Sequence, residues 1–159
     1  MVEAKVTGLP DFKAALLSLP DKLRRRALRN ALAAGARLVR GVAREAAPVI
    51  PAASLAVRRG VRSPGTLRNA ISVRTSKLAR RRGDVGVFVN VRPAKPGQRG
   101  AKSRVDPYYW RFVEFGTKFA AARPYLQKGA GKLGEALQVF IAKIRPAIAR
   151  LNQPKGPPP

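Results

Sequence analysis

Neither cysteine nor histidine occurs anywhere in this chain. The first absence removes disulfide frameworks and thiolate metal sites and suits a reducing cytoplasm. The second adds the loss of the commonest general base and of the usual nucleophile–base pairs, and together they exclude nearly all transition-metal sites. Carboxylates are scarce as well. The eight present, Glu3, Asp11, Asp21, Glu45, Asp84, Asp106, Glu114 and Glu135, are scattered, and only folding could bring two of them into acid–base or magnesium-binding range. A Gly-rich phosphate loop is missing too, because GQRGAKS at Gly97 to Ser103 lacks the Gly-Lys-Ser/Thr order. The residues therefore point away from an enzyme, with no cofactor and no metal expected. Long apolar runs are also lacking: no stretch approaches the roughly 20 apolar residues that cross a bilayer, and MVEAKVTGLPDF has no signal-peptide core. A soluble chain without a membrane partner is expected.

Aromatic residues make up only 6% of a chain that is 45% hydrophobic, so the core should be built of Ala, Val, Leu and Ile. Such a core stabilises modestly, since burial returns roughly 25 cal/mol per Å² of apolar surface and Ala has little to bury. Partners are expected to supply part of the stability. The 159 residues suit one domain, read as 1–151, followed by a Pro-rich disordered tail at 152–159. What the chain has in excess is positive charge: 33 Lys and Arg against 8 acids, a formal +25. About half of it lies between Arg58 and Arg104, where fourteen Lys and Arg face Asp84 alone. A solvated Arg-rich surface would account for this, as would a basic face that meets DNA or an acidic partner.

Along the chain, Glu3 to Thr7 alternates as a short strand and Asp11 to Ser18 suits one or two helical turns. Pro20-Asp21 opens a long helix whose stripe is Leu23, Ala27, Leu28, Ala31, Ala34, Leu38, Val42 and Ala46, and Pro48 stops it near Ala47. Its Ala33 to Ala36 stretch, with Gly35, would allow another backbone to come close. Pro48 to Gly65 reads as a loop or arm. Two strands follow, Ala70 to Ser76 and Asp84 to Val91, with KLARRRG between them as a hairpin connection. Arg92 to Asp106 has Pro, Gly, Ser and basic residues without an apolar period, so a long mobile loop is expected. A short helix ending at Gly116 comes next. A last helix is expected from Pro124 to about Leu151, with Leu126, Ala130, Leu133, Leu137, Ile141, Ile144 and Ile148 as its apolar stripe and Pro146 kinking or shortening it. The fold class is α+β: a long N-terminal helix and a C-terminal helix packed on a small antiparallel β-sheet, with long basic loops.

Most of the aromatics sit in one stretch, PYYWRFVEFGTKFAAARPYLQKGA, from Pro107 to Ala130. Aromatics beside Arg104 and Arg111 could stack on bases, but Phe112, Val113 and Phe115 at helical spacing read as core, and no zinc finger, RNA-recognition signature or helix-turn-helix accompanies them. The stretch resembles the hallmark of the Hong Kong 97 gene-product-ten-like family of tailed-phage proteins. In that family an aromatic segment ending in Glu-Phe-Gly-Thr is followed by Ala-Arg-Pro, an aromatic and Leu. The matching positions here are Glu114, Phe115, Gly116, Thr117, Ala122, Arg123, Pro124, Tyr125 and Leu126. Upstream, GTLRNAISV at Gly65 to Val73 is similar to the family's Thr-Gly-x-Leu-Arg-x-Ser-Ile. The departures are SPGT for the usual Thr-Gly step, Tyr125 where Phe is common, and an unusually long basic loop.

The resemblance implies a structural protein of the virion neck or tail, assembled in the host cytoplasm. It would form a homo-oligomeric ring, six copies by the number typical of phage tail rings, at the head-to-tail junction. Its neighbours would be head-closure or connector proteins and tail-terminator or tail-tube proteins, with genomic DNA in the conduit. Tyr109, Phe112, Glu114, Phe115, Gly116, Thr117, Arg123, Pro124, Tyr125 and Leu126 are the candidate interface and motif residues. Glu114 and Arg123 are candidates for an ion pair within or between subunits, Gly116 for a turn that a side chain would obstruct, and Pro124 for a helix start. Six copies would carry about +150, a repulsion that needs DNA, acidic neighbours or counterions. Arg80, Arg81, Arg82, Arg92, Lys95, Arg99, Lys102 and Arg104 are therefore candidates to face DNA or an acidic partner. The competing reading is a basic protein that binds double-stranded DNA without sequence preference.

Overall fold

A computed structural model describes residues 9–49 and 63–153. Helix α1 spans Leu9–Leu17 and α2 spans Asp21–Ala46. A five-residue helix α3, Thr66–Ala70, runs straight into strand β1, Ile71–Thr75. Helix α4, Lys77–Arg81, leads to β2, Val87–Val91. Helices α5 (Trp110–Phe115), α6 (Tyr125–Ala130) and α7 (Leu133–Asn152) complete the order. The α+β class is as expected. The strand expected at Glu3 to Thr7, most of the arm between Pro48 and Gly65 and most of the terminal tail lie outside the described residues. Among the described residues no helix is long and apolar enough to cross a membrane.

The chain divides into two compact units, one of residues 1–36, 75–88 and 133–159, the other of 37–74 and 89–132. In the first, Leu19, Ala27 and Ala31 are buried together with Ile144 and Ile148 of α7, and Leu16, Leu28 and Phe140 pack around them. Asn152, at the end of α7, donates its side-chain amide to the Ala15 carbonyl of α1 at 3.2 Å. The buried positions of α2 in this unit, Ala27, Ala31 and Gly35, recur every four residues, so the face that meets α7 is made of the smallest side chains. A Cβ on Gly35 would lie 2.5 Å from the Ala136 carbonyl oxygen of α7. The close backbone approach expected at this stretch is therefore made, and only glycine permits it.

In the second unit Ala43, Ala47, Leu67, Ile71, Val91 and Tyr125 form the buried core, with Val89, Trp110, Val113 and Leu126 against it. The two strands form an antiparallel pair. Arg92 N–H donates to Ala70 O at one end and Ser76 N–H to Gly86 O at the other, both at 2.8 Å, which sets Ile71 opposite Val91 and Val73 opposite Val89. Arg44 of α2 crosses the junction of α3 and β1, donating Nε to Ile71 O at 3.1 Å and Nη2 to Asn69 O at 3.3 Å. Burial first, and then the charges of Arg40 and Arg68, hold its pKa below the ordinary arginine value.

Two local departures have clear causes. KLARRRG contains α4 because Ser76 caps it, its hydroxyl accepting from Ala79 N–H at 3.1 Å. The expected last helix is two helices: Gly131 and Lys132 close α6 with N–H bonds to Gln127 O and Gly129 O. Leu126 consequently joins the core of the second unit, Leu133 is exposed, and the buried stripe resumes at Ala136, Ile144 and Ile148. Pro146 lies inside α7, which continues to Asn152.

Gly35→Ala tests the helix contact. Ala is a better helix former by about 1 kcal/mol, yet overpacking against a carbonyl that cannot rotate away should outweigh this and lower stability by about 2 kcal/mol. Urea unfolding monitored by circular dichroism measures the difference, and a neutral or stabilised variant would show that the helices are not so close.

Candidate functional site

The aromatic motif folds around Glu114, a carboxylate 6% exposed on α5. Its two oxygens accept from the backbone N–H groups of Leu126 at 2.9 Å and Gln127 at 3.0 Å. These are first-turn donors of α6 that have no partner inside the helix. Pro124 occupies the N-cap position and has no side-chain acceptor, so the cap arrives from twelve residues upstream. Its negative charge also meets the positive end of the helix.

The chain between these points is closed by its own backbone. Arg123 N–H donates to Val113 O at 2.8 Å, and Thr117 and Ala120 exchange N–H bonds at 2.9 and 3.3 Å. The Thr117 hydroxyl accepts from Phe119 and Ala120 N–H at 3.2 and 3.1 Å. Gly116 ends α5 at φ +74°, and a Cβ there would stand 2.8 Å from Ala122 N and 2.9 Å from Ala120 O. The obstruction foreseen from sequence is real on both counts, dihedral and space. Beneath the loop Tyr125 is completely buried, and burial, then the Glu114 charge, then Tyr109, push its phenol well above the ordinary tyrosine pKa. Its hydroxyl finds no hydrogen-bond partner among the described residues.

The ion pair considered between Glu114 and Arg123 does not form within the chain. Among the described residues Asp21 pairs with Arg24 and, at 3.6 Å, with Arg25, whereas Arg123 is exposed and Glu114 is occupied by the two amides. Phe112 and Phe115, read as core, are exposed at 56% and 74%. Helix α5 carries two apolar pairs spaced by three: Trp110 and Val113 face the core with Glu114, which leaves Phe112 and Phe115 outward. Phe119 at the loop tip is 87% exposed, with the Lys118 ammonium 4.7 Å from its ring centre. Tyr109 and Leu126 pack against the core instead of facing outward, and Pro124 is half-buried.

The loop from Arg92 to Asp106 contains no helix or strand, but it is organised where mobility was expected. Asp106 is buried, and its carboxylate accepts from Ala94 N–H at 3.0 Å and Gly100 N–H at 2.7 Å. Ser103 Oγ accepts from Asp106 N–H, and Arg99 Nε donates to Ala94 O at 3.0 Å. Arg92, Lys95 and Arg99 line one cavity of about 590 Å³ together with Arg74, which sequence reasoning passed over; Lys102 and Arg104 are exposed elsewhere on the loop. Arg80 lines a different cavity of about 310 Å³ with Lys22, Arg25, Arg26, Arg29 and Asp84. Arg81 and Arg82, at the end of α4, are exposed. Asp106 was the functional residue hardest to anticipate. The available signal was a lone carboxylate closing a Gly- and Pro-containing cationic loop. Among the described residues no group of three His, Cys, Asp or Glu is placed to hold a metal ion.

The motif is thus a hydrogen-bonded scaffold that leaves the large apolar side chains of Phe112, Phe115 and Phe119 exposed. Residues 11–116 match the family described as "Bacteriophage HK97-gp10, putative tail-component", and the chain belongs to that family. It is thus a phage tail component, a protein of the virion. The match ends at Gly116, so Thr117 and the Arg123 to Leu126 half of the motif lie beyond it. No curated protein and no solved structure matches the chain.

Substitutions at two positions separate the parts of this site. Glu114→Ala should cost about 2–4 kcal/mol by stranding two amides at a helix start, and Glu114→Gln less, since one acceptor survives; urea unfolding reads both. Tyr125→Phe should stabilise by about 1 kcal/mol because an unpaired buried hydroxyl is removed. The pH dependence carries a sign. Above pH 10.0, the ordinary tyrosine pKa, the unfolded state releases a proton that the folded state still holds, so stability falls as pH rises. In Tyr125→Phe that component of the alkaline loss should be missing, as thermal unfolding between pH 8 and 11 would reveal.

Proposed function

We propose that this tail component acts at the head-to-tail junction, where copies of the chain form a ring, six by the assumption stated above, that completes or joins the tail. The observation that carries this reading is the pair Phe115 and Phe119, 74% and 87% exposed, held on either side of the Gly116 turn by a capped and closed loop. Large apolar side chains fixed outward in this way suit burial against another protein. Family membership supports a virion neighbour as that protein. The work of the molecule is then contact, and its motif is the rigid mount for the contacting side chains. The cationic surfaces oppose self-association, so the ring gains stability when acidic neighbours or DNA compensate them.

Phe115→Ser combined with Phe119→Ser tests the reading. Both side chains are exposed, so the unfolding midpoint should change little, whereas ring formation and tail joining should fall at least tenfold. Light scattering after size exclusion, negative-stain imaging and a complementation titre supply the readouts. Rings and infectious particles at the parental level would overturn the proposal.

A further inference from the structure

The wall formed by Arg74, Arg92, Lys95 and Arg99 poses a separate question. These four cations line one groove of about 590 Å³ between residues 63–70 and the start of the basic loop, and among the described residues no carboxylate lines it. None of the four has an ion-pair partner among the described residues. The nearest acid in the loop, Asp106, is turned into the loop backbone by its bonds to Ala94 and Gly100. The groove is built: Arg104 O accepts from Ser63 N–H and from the Thr66 hydroxyl, both at 3.4 Å, which ties the two walls together. Between the cations lie Pro64, Pro93, Pro96 and Val105, the last half exposed.

We propose that this groove is a docking site for an extended acidic segment of a different protein, one that carries apolar side chains between its carboxylates. Charge and composition select that occupant. A phosphodiester strand would satisfy the four cations but has little apolar surface to cover the prolines and Val105. This chain cannot fill the groove itself or in a second copy. Its eight acids stand at 3, 11, 21, 45, 84, 106, 114 and 135, so no seven-residue stretch holds two, and the segment 50–62 is itself basic. An alternating acidic and aliphatic strand offers carboxylates and apolar groups along the same short length, which suits a groove lined by both cations and apolar side chains. The inference rests on the reading of this chain as a component that meets other virion proteins, and it does not need the ring.

The test uses the full-length protein and a fluorescein-labelled decapeptide of alternating Glu and Leu, followed by anisotropy. Two controls have the same length: Gln alternating with Leu, and Glu alternating with Ser. The expected result is binding of the Glu/Leu peptide that weakens with salt, at least about fivefold weaker binding of Glu/Ser, and none of Gln/Leu. Arg74→Gln with Lys95→Gln should weaken the Glu/Leu peptide about tenfold. Arg81→Gln with Arg82→Gln, an equal loss of charge at exposed positions that do not line the groove, should change it less than twofold. Equal loss in both variants, equal binding of the Gln/Leu or Glu/Ser controls, or no binding of the Glu/Leu peptide would overturn the proposal. So would a 20-base-pair duplex whose affinity falls only in the groove variant, since that would assign the groove to nucleic acid. Light scattering on the same samples reports ring formation independently, so failure of the groove and failure of the ring are told apart.

Discussion

A single carboxylate joins the two halves of the aromatic motif: Glu114 on α5 accepts the Leu126 and Gln127 amides at the start of α6. A six-residue helix has little stability of its own, because nucleation is costly and most of its backbone groups are end groups. Satisfying two of those donors with a charge lets α6 begin where it does. That start places Tyr125 in the core and brings Gly129 against α2, where a Cβ would meet Val39 O at 2.8 Å. The turn at Gly116 and the Thr117–Ala120 bridge then have fixed ends to close between. Arg123, the residue a charge-pairing argument selects, contributes its backbone to the same closure while its side chain stays in solvent.

Asp106 repeats the device in the basic loop. Both buried acids of the described chain are spent on backbone amides. A surface ion pair in water is worth little, whereas a desolvated carboxylate that accepts two N–H groups orders a whole segment. A chain with so few acids gains more from the second use. The consequence is a surface rich in cations, since the two buried acids are turned inward and 33 Lys and Arg stand against eight acids in all. Charge that folding leaves unbalanced remains available to a partner.

The parts legible in the sequence were those fixed by local period or by punctuation. The limits of α2 follow from Pro20-Asp21 and Pro48, the strands from Val and Ile alternation, and the end of α5 from Gly116. What escaped was set by tertiary choice. Helix α5 has two equivalent apolar pairs, and nothing in its spacing says that Trp110 and Val113 rather than Phe112 and Phe115 turn inward. The choice was made by Glu114, which must reach α6 and so fixes the rotation of the helix. The division between α6 and α7 was hidden because Leu126 and Leu133 share a period although they serve different surroundings. Loop order at Asp106 depends on bonds across twelve residues, a separation at which composition reports only the absence of an apolar pattern.

Rigidity links this architecture to assembly. Ordering a side chain at an interface costs about 0.5–1.5 kcal/mol for each rotamer-rich group, and ordering a loop costs more. Here the ordering is done during folding. Glu114 anchors the base, Gly116 and Thr117 close the tip, and Phe115 and Phe119 are presented on a backbone with few alternatives. An aromatic side chain has only two side-chain torsions to restrict and a large area to bury, so little opposes its contribution on contact. On the proposed reading, stability and binding draw on different residues of one motif: the polar and small ones, Glu114, Gly116 and Thr117, hold the loop, and the exposed aromatics are free to be covered. A change at the first group should be felt in folding and assembly alike, and a change at the second in assembly alone.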